Sequence, residues 1–129
     1  MKGTRLLFLS GFVALLAFDT LGQISFKLAA EQTSPVEPTL DFFGRLTEEP
    51  WVLAVLVAYG GAFLTYMTLM KKAPIGPLFA ASHLEIVSVA VISVYLFGER
   101  LSAIQILGSA TILVGVLILA LAERDKEQA

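Results

Sequence analysis

Cysteine is absent from this chain, and histidine occurs once, at position 83. Without a thiol there is no disulfide, no thiolate nucleophile and no sulfur-bound metal, and one imidazole builds no metal cluster of recognisable spacing. Charge is scarce too. Asp, Glu, Lys and Arg make up 16% of the 129 residues, against about a quarter in an average soluble domain. A soluble chain this short has to cover its core with polar surface, and the residues for that are missing. The net charge of −2 leaves no electrostatic footprint for nucleic acid. With no nucleophile–base pair either, the sequence reads as a non-enzyme that needs no metal and no cofactor.

What is present is hydrocarbon: 57% of the residues are hydrophobic and the mean hydropathy is strongly positive. The apolar residues fall into four runs, at about 6–30, 51–70, 77–97 and 102–122. About twenty apolar residues in a helix cross roughly 30 Å of hydrocarbon, and runs this long without turn residues read as helices rather than strands. The expected fold is all-α: an integral membrane bundle of four transmembrane helices in one domain, with the loop 31–50 outside. Lys2 and Arg5 before an apolar stretch also fit a signal peptide. However, no A-x-A-like site follows, and Asp19, Gln23 and Lys27 continue the helix instead.

In the loop, Pro35 and Pro38 keep the chain extended. Phe42, Phe43 and Leu46, at i, i+1 and i+4, fit either a short amphipathic turn on the membrane surface or an ordinary ordered loop. Pro74 and Pro77 suit a helix start, where a missing N–H costs nothing. Short links at 71–74 and at Gly98-Glu99-Arg100 make consecutive spans antiparallel. Lys2, Arg5, Lys71, Lys72, Arg124 and Lys126 fall on one side of the membrane; Lys27, Arg45 and Arg100 fall on the other. The excess of cations marks the cytoplasmic side. The expectation is a multi-pass protein of the cell inner (plasma) membrane with both termini in the cytoplasm.

An ionisable side chain inside a span costs about 2.5–3.5 kcal/mol on insertion scales and is a functional-site candidate by default. Asp19 is the clearest case. Gly22, Gln23, Phe26 and Lys27 follow it at i+3, i+4, i+7 and i+8, which gives the helix one polar face. Burial, or a second carboxyl across a dimer, disfavours the charged form. Such a group can hold either a proton or a cationic substrate, the minimum that coupled antiport requires. A structural Asp, hydrogen-bonded to a neighbouring helix, is the bland alternative. For Lys27 a snorkelling anchor competes with a place in the pathway.

In the second span Tyr59, Phe63 and Tyr66 share a face and can line a cavity or stack on a cation, although such stripes also serve packing. Gly60 and Gly61 beside them allow close helix approach. The third span carries Ser82, His83 and Glu85. On a continuous helix His83 and Glu85 lie about 200° apart, so only one of the two is expected to face the pathway.

These residues carry a family resemblance. The stretch from Asp19 through Gly22 to Lys27 resembles the first helix of small multidrug resistance transporters, with an acid, a Gly three later and a Lys eight later. Tyr59 falls on that family's pathway tyrosine, and Ala73-Pro74-Ile75-Gly76 is similar to its loop before the third helix. Gly98-Glu99-Arg100-Leu101, followed by Gly108 and Gly115, resembles the end of the EamA-type drug/metabolite transporter repeat. The resemblance implies a dimer of four-helix subunits, identical or homologous, around a shared membrane-embedded site with alternating access.

The departures fall in the site. Asp19 replaces the family's Glu, Phe79 stands where Tyr is usual, Ser82 stands where those exporters have Trp, and His83 and Glu85 are outside the pattern. Gly22-Gln23 with Lys27 resembles the small paired flippase subunits that move lipid-linked aminoarabinose, which lack an acid at the Asp19 position. The reading is a proton-coupled exporter of a small amphipathic or cationic molecule, surrounded by membrane lipid. Asp19, Gln23, Tyr59, Tyr66, Phe79, Ser82, His83 and Glu85 line its site, and Gly108 and Gly115 form its dimer contact. A flippase subunit for a lipid-linked sugar or other lipid, and a non-transporting scaffold subunit, are the rivals.

Overall fold

The computed structural model describes residues 2–73 and 75–128, and over these it forms helices and no strand. In chain order they are α1 (Lys2–Thr33), α2 (Leu40–Glu48), α3 (Pro50–Met70), α4 (Ile75–Ser82), α5 (Leu84–Phe97) and α6 (Ala103–Gln128). Four stretches are long and apolar enough to cross a membrane: Leu6–Thr33, Pro50–Met70, Leu78–Phe97 and Ala103–Glu123. The third is made by α4 and α5 in succession. Pro77 falls in the first turn of α4, where its missing N–H has no intrahelical partner to lose. Pro74, the other proline expected at this helix start, lies outside the described residues.

Local chemistry sets the ends. Thr39 caps α2, its hydroxyl accepting from the Phe42 amide. Glu49 caps α3 through the Trp51 amide, with Pro50 at the first helical position. Gly98 ends α5 at φ +62, a left-handed conformation that costs glycine least. Ser102 and Gln105 form a reciprocal cap on α6: the Gln105 side chain accepts from the Ser102 amide, and the Ser102 hydroxyl accepts from the Gln105 amide.

The segment around Phe42 is helical rather than an open loop. Phe42 and Leu46 face the end of α1 and the start of α3 across a groove of about 330 Å³, while Leu40 and Phe43 point outward. The tightest contact in the subunit joins α1 and α3, and it is built on three glycines. A Cβ on Gly11 would lie 2.6 Å from Leu69, one on Gly61 2.7 Å from the Phe18 ring, and one on Gly22 3.2 Å from the Tyr59 ring. Each glycine is a seat for a large side chain from the opposite helix. Leu15, Ala62, Leu69 and Leu78 complete the buried centre.

Outside that centre, large apolar side chains such as Leu53, Leu56, Leu117 and Ile118 face outward. Hydrocarbon is their solvent: lipid takes no toll on exposed Leu, so such a bundle is held by close packing and polar contacts. Among the described residues α6 contacts only α4 and α5, and Gly108 and Gly115 on it have open space around them.

Gly60 and Gly61, adjacent in the sequence, separate the two environments. Gly61→Ala should lower the subunit's stability by about 1–3 kcal/mol, because the Phe18 ring must move. Gly60, with nothing within 4 Å of its Cβ position, should tolerate alanine with no loss. Reversible unfolding of both variants in mixed micelles measures the difference, and equal melting would refute the seat described for Phe18.

Candidate functional site in the membrane

Asp19 lies on α1 with Leu15 one turn earlier, and both face a cavity of about 330 Å³. α3 supplies the opposite wall: Tyr59, Ala62, Phe63 and Tyr66 recur at helical spacing along its face. Tyr59 reaches this position because Gly22, three residues after Asp19, leaves room for its ring. Ser82, His83 and Glu85 close the third side. Among the described residues no Lys or Arg lines the cavity. Two carboxyls in one recess call for compensating positive charge, which the His83 imidazole, a proton or a bound cation can supply.

His83 and Glu85 both line this cavity, which corrects the expectation that only one of them could. The 200° separation belongs to a continuous helix, and the third span is broken at His83. The Phe79 carbonyl, which in an unbroken helix accepts from the His83 amide, is taken by two side chains. The Ser82 hydroxyl donates to it at 2.7 Å and His83 Nδ1 at 2.8 Å. The His83 amide turns instead to the Ala80 carbonyl at 3.2 Å, and the Ile86 amide to the His83 carbonyl at 3.2 Å. Two such three-residue steps tighten the backbone and re-aim the side chains that follow. The competition of Ser and His side chains with the backbone was the available signal, and helical periodicity alone passes over it.

Of the other candidates, Gln23 and Phe79 do not line the cavity. Phe79 instead packs its ring against His83, centroids 4.6 Å apart. Lys27 is also elsewhere: it pairs with Glu99 beyond the end of α5, its ammonium 4.1 Å from the Phe97 ring centroid. Sequence reasoning missed Leu15 and Ala62, both apolar and one turn from a named residue. It also missed Thr20, whose hydroxyl meets that of Ser88 at 2.6 Å. Ser88 gives its proton to the Glu85 carbonyl, so Thr20 is the donor in this pair. The bond ties α1 to α5 beside the cavity. Among the described residues no group of three or more His, Asp or Glu side chains is arranged to hold a metal ion.

A family model described as the EamA-like transporter family matches residues 4–121. Over 76 residues the chain is 34% identical to a multidrug transporter of Pseudomonas aeruginosa, covering 56% of this chain and 69% of that protein. Over 70 residues it is 30% identical to a probable 4-amino-4-deoxy-L-arabinose-phosphoundecaprenol flippase subunit of Aeromonas salmonicida. That match covers 54% of this chain and 61%, less than two thirds, of the flippase subunit. No solved structure matches the chain.

The break in the third span has a direct test. With Ser82→Ala and His83→Leu together, the Phe79 carbonyl has no side-chain partner left and should take back the amide of residue 83. Amide hydrogen exchange across residues 82–86 should then slow several-fold as the span becomes one helix. Unchanged exchange would mean that packing against α1, and not these two side chains, imposes the break.

Proposed function

The chain belongs to the EamA-like transporter family, and on that premise we propose how this small membrane transporter works. It exports a small amphipathic or cationic substrate in exchange for protons, by alternating access, with Asp19 as the carboxyl that proton and substrate share. The observation carrying this reading is the cavity in which Asp19 meets Tyr59, Tyr66, His83 and Glu85 with no Lys or Arg among its described lining residues. An acid bears its insertion cost only where it does something, and a carboxyl that must be neutralised at every moment alternates naturally between a proton and a cation. The protein sits in the cell inner membrane with both termini in the cytoplasm, a topology that the cations near the span ends, Lys71 and Lys72 among them, support.

A second reading, movement of a lipid-linked sugar between leaflets, draws on the flippase subunit among the relatives. The apolar groove between α2, the end of α1 and the start of α3 supports it. Lined by Phe26, Ala29, Val36, Phe42, Leu46 and Val52, this groove suits an alkyl chain. Asp19 favours the exchanger, since lipid movement by itself gives a buried acid no task.

Asp19→Asn separates the readings. The amide is isosteric and cheaper to bury, so the variant should insert and fold, while substrate-driven collapse of a pH gradient in reconstituted vesicles should fall to the level of empty vesicles. Exchange at the wild-type rate would sink the claim.

The cavity is open at its side, and one subunit has too few helices to enclose it, so the working unit is a dimer of identical or homologous chains. Helix α6 is the contact. It has no neighbour beyond α4 and α5, and Gly108, Thr111 and Gly115 make a shallow stripe along it, with open space at both glycines. Small residues let membrane helices approach where hydrophobicity gives no drive. Gly108→Leu with Gly115→Leu should split the dimer in single-molecule subunit counting, abolish transport and leave each subunit helical. A double variant that stays dimeric and active would place the interface elsewhere.

A further inference from the structure

The donors and acceptors around the cavity are unevenly matched. Ser82 spends its hydroxyl proton on the Phe79 carbonyl, which leaves only lone pairs for a ligand. His83 Nδ1 faces the same carbonyl. A carbonyl only accepts, so Nδ1 carries a proton, and on the neutral ring Nε2 is left as an acceptor. Asp19 and Glu85 add two carboxyls. Four acceptors are thus available, and the only hydroxyls with protons to give belong to Tyr59 and Tyr66.

From this inventory we infer that the substrate carries two primary ammonium groups, as in a short alkyl diamine, one for each of Asp19 and Glu85. The inference rests on the reading of this cavity as the transport site, and it goes further by naming the chemistry that fills it. A primary ammonium presents three N–H donors, and charge-assisted bonds from such a donor to a carboxylate are the stronger kind of hydrogen bond. A quaternary ammonium offers the same charge and none of the donors. It can rest on the faces of Tyr59, Phe63 and Tyr66, but it leaves the four acceptors dry and unpaired, and buried polar groups without partners are costly. A second carboxyl likewise separates one cation from two, because a monocation leaves one acid to be neutralised by a proton alone. The space also fits: 330 Å³ is the volume of roughly ten waters, enough for a short alkyl chain and two head groups.

The test uses three probes on the purified protein in detergent, with binding followed by calorimetry. They are 1,4-diaminobutane, its fully methylated bis-quaternary analogue and 1-aminobutane. The diamine should bind about tenfold or more tightly than either of the others, the effect of one charge-assisted hydrogen-bonding group. Glu85→Gln should reduce the diamine to the level of 1-aminobutane while leaving 1-aminobutane within about twofold, again on the scale of one such group. Glu85→Asp, which keeps the carboxylate, should retain the preference for the diamine.

Equal binding of the diamine and its bis-quaternary analogue overturns the inference. So does the same loss for both amines in Glu85→Gln, or no binding of any probe. Should Glu85→Gln fail to fold, the wild-type comparison of diamine with analogue decides alone. Failure here is distinct from failure of the transport reading. If a monocation exchanges for protons in an Asp19-dependent way while the diamine does not bind, transport stands and the diamine falls. Exchange that survives Asp19→Asn removes the transport reading itself.

Discussion

A carboxyl placed partway across a hydrocarbon slab sets the terms for the helices around it. Lipid offers Asp19 no hydrogen bond, so protein or enclosed water has to, and the helix carrying it must turn that face inward. α3 turns a tyrosine face toward the same cavity, and the fit depends on close approach. Gly22 admits the Tyr59 ring beside the acid, while Gly61 and Gly11 admit Phe18 and Leu69 at successive points toward the start of α1. The seats repeat along an antiparallel pair, so the register of α3 against α1 is fixed at three points. The position of Tyr59 relative to Asp19 is therefore a consequence of packing elsewhere in the pair.

The other side of the cavity is held differently. α5 meets α1 through the Thr20–Ser88 hydrogen bond and, past its end, through the Lys27–Glu99 pair with Phe97 beneath the ammonium. Polar contacts between membrane helices are worth about 1 kcal/mol, and the exposed ion pair adds little. This joint is therefore weaker than the glycine-seated one. Lys27 illustrates the point: the one cation on the helix of Asp19 beyond its first turn, it is held by Glu99 past the end of α5 and does not line the cavity of the acid.

Much of this was legible in the residues, and what was not has identifiable causes. The four spans follow from hydropathy, since lipid enforces long uninterrupted apolar runs. The shared face of Tyr59, Phe63 and Tyr66 follows from helical spacing, as does the amphipathic character around Phe42. Three features escaped. Periodicity assumes an unbroken helix, so it separated His83 from Glu85, whereas two side chains competing for the Phe79 carbonyl bring both to one cavity. Composition cannot rank Gly60 against Gly61, because only the opposing Phe18 ring makes one of them indispensable. The partner of Lys27 is 72 residues away in the chain, a distance over which no local pattern speaks.

The unequal joints also say where the subunit can move under the proposed exchange. α1 and α3 interlock through rigid side chains in glycine seats, and interlocked packing resists sliding because each step costs a clash. Among the described residues α6 contacts only α4 and α5, so those three helices form a second unit, joined to the first by the buried Leu78 of α4, the Thr20–Ser88 hydrogen bond and the Lys27–Glu99 pair, with no glycine seat between them. The cavity lies on the seam, with Asp19 on one unit and Glu85 on the other. The break at His83 lies on the same seam, at the junction of α4 and α5, where the backbone bonds are already three-residue steps and the Phe79 carbonyl has two alternative donors. Rocking of one half against another about a fixed site is the general route to alternating access. Under that proposal, exchange of a carbonyl partner at Phe79 would let α4 and α5 change angle without leaving a polar group bare in lipid.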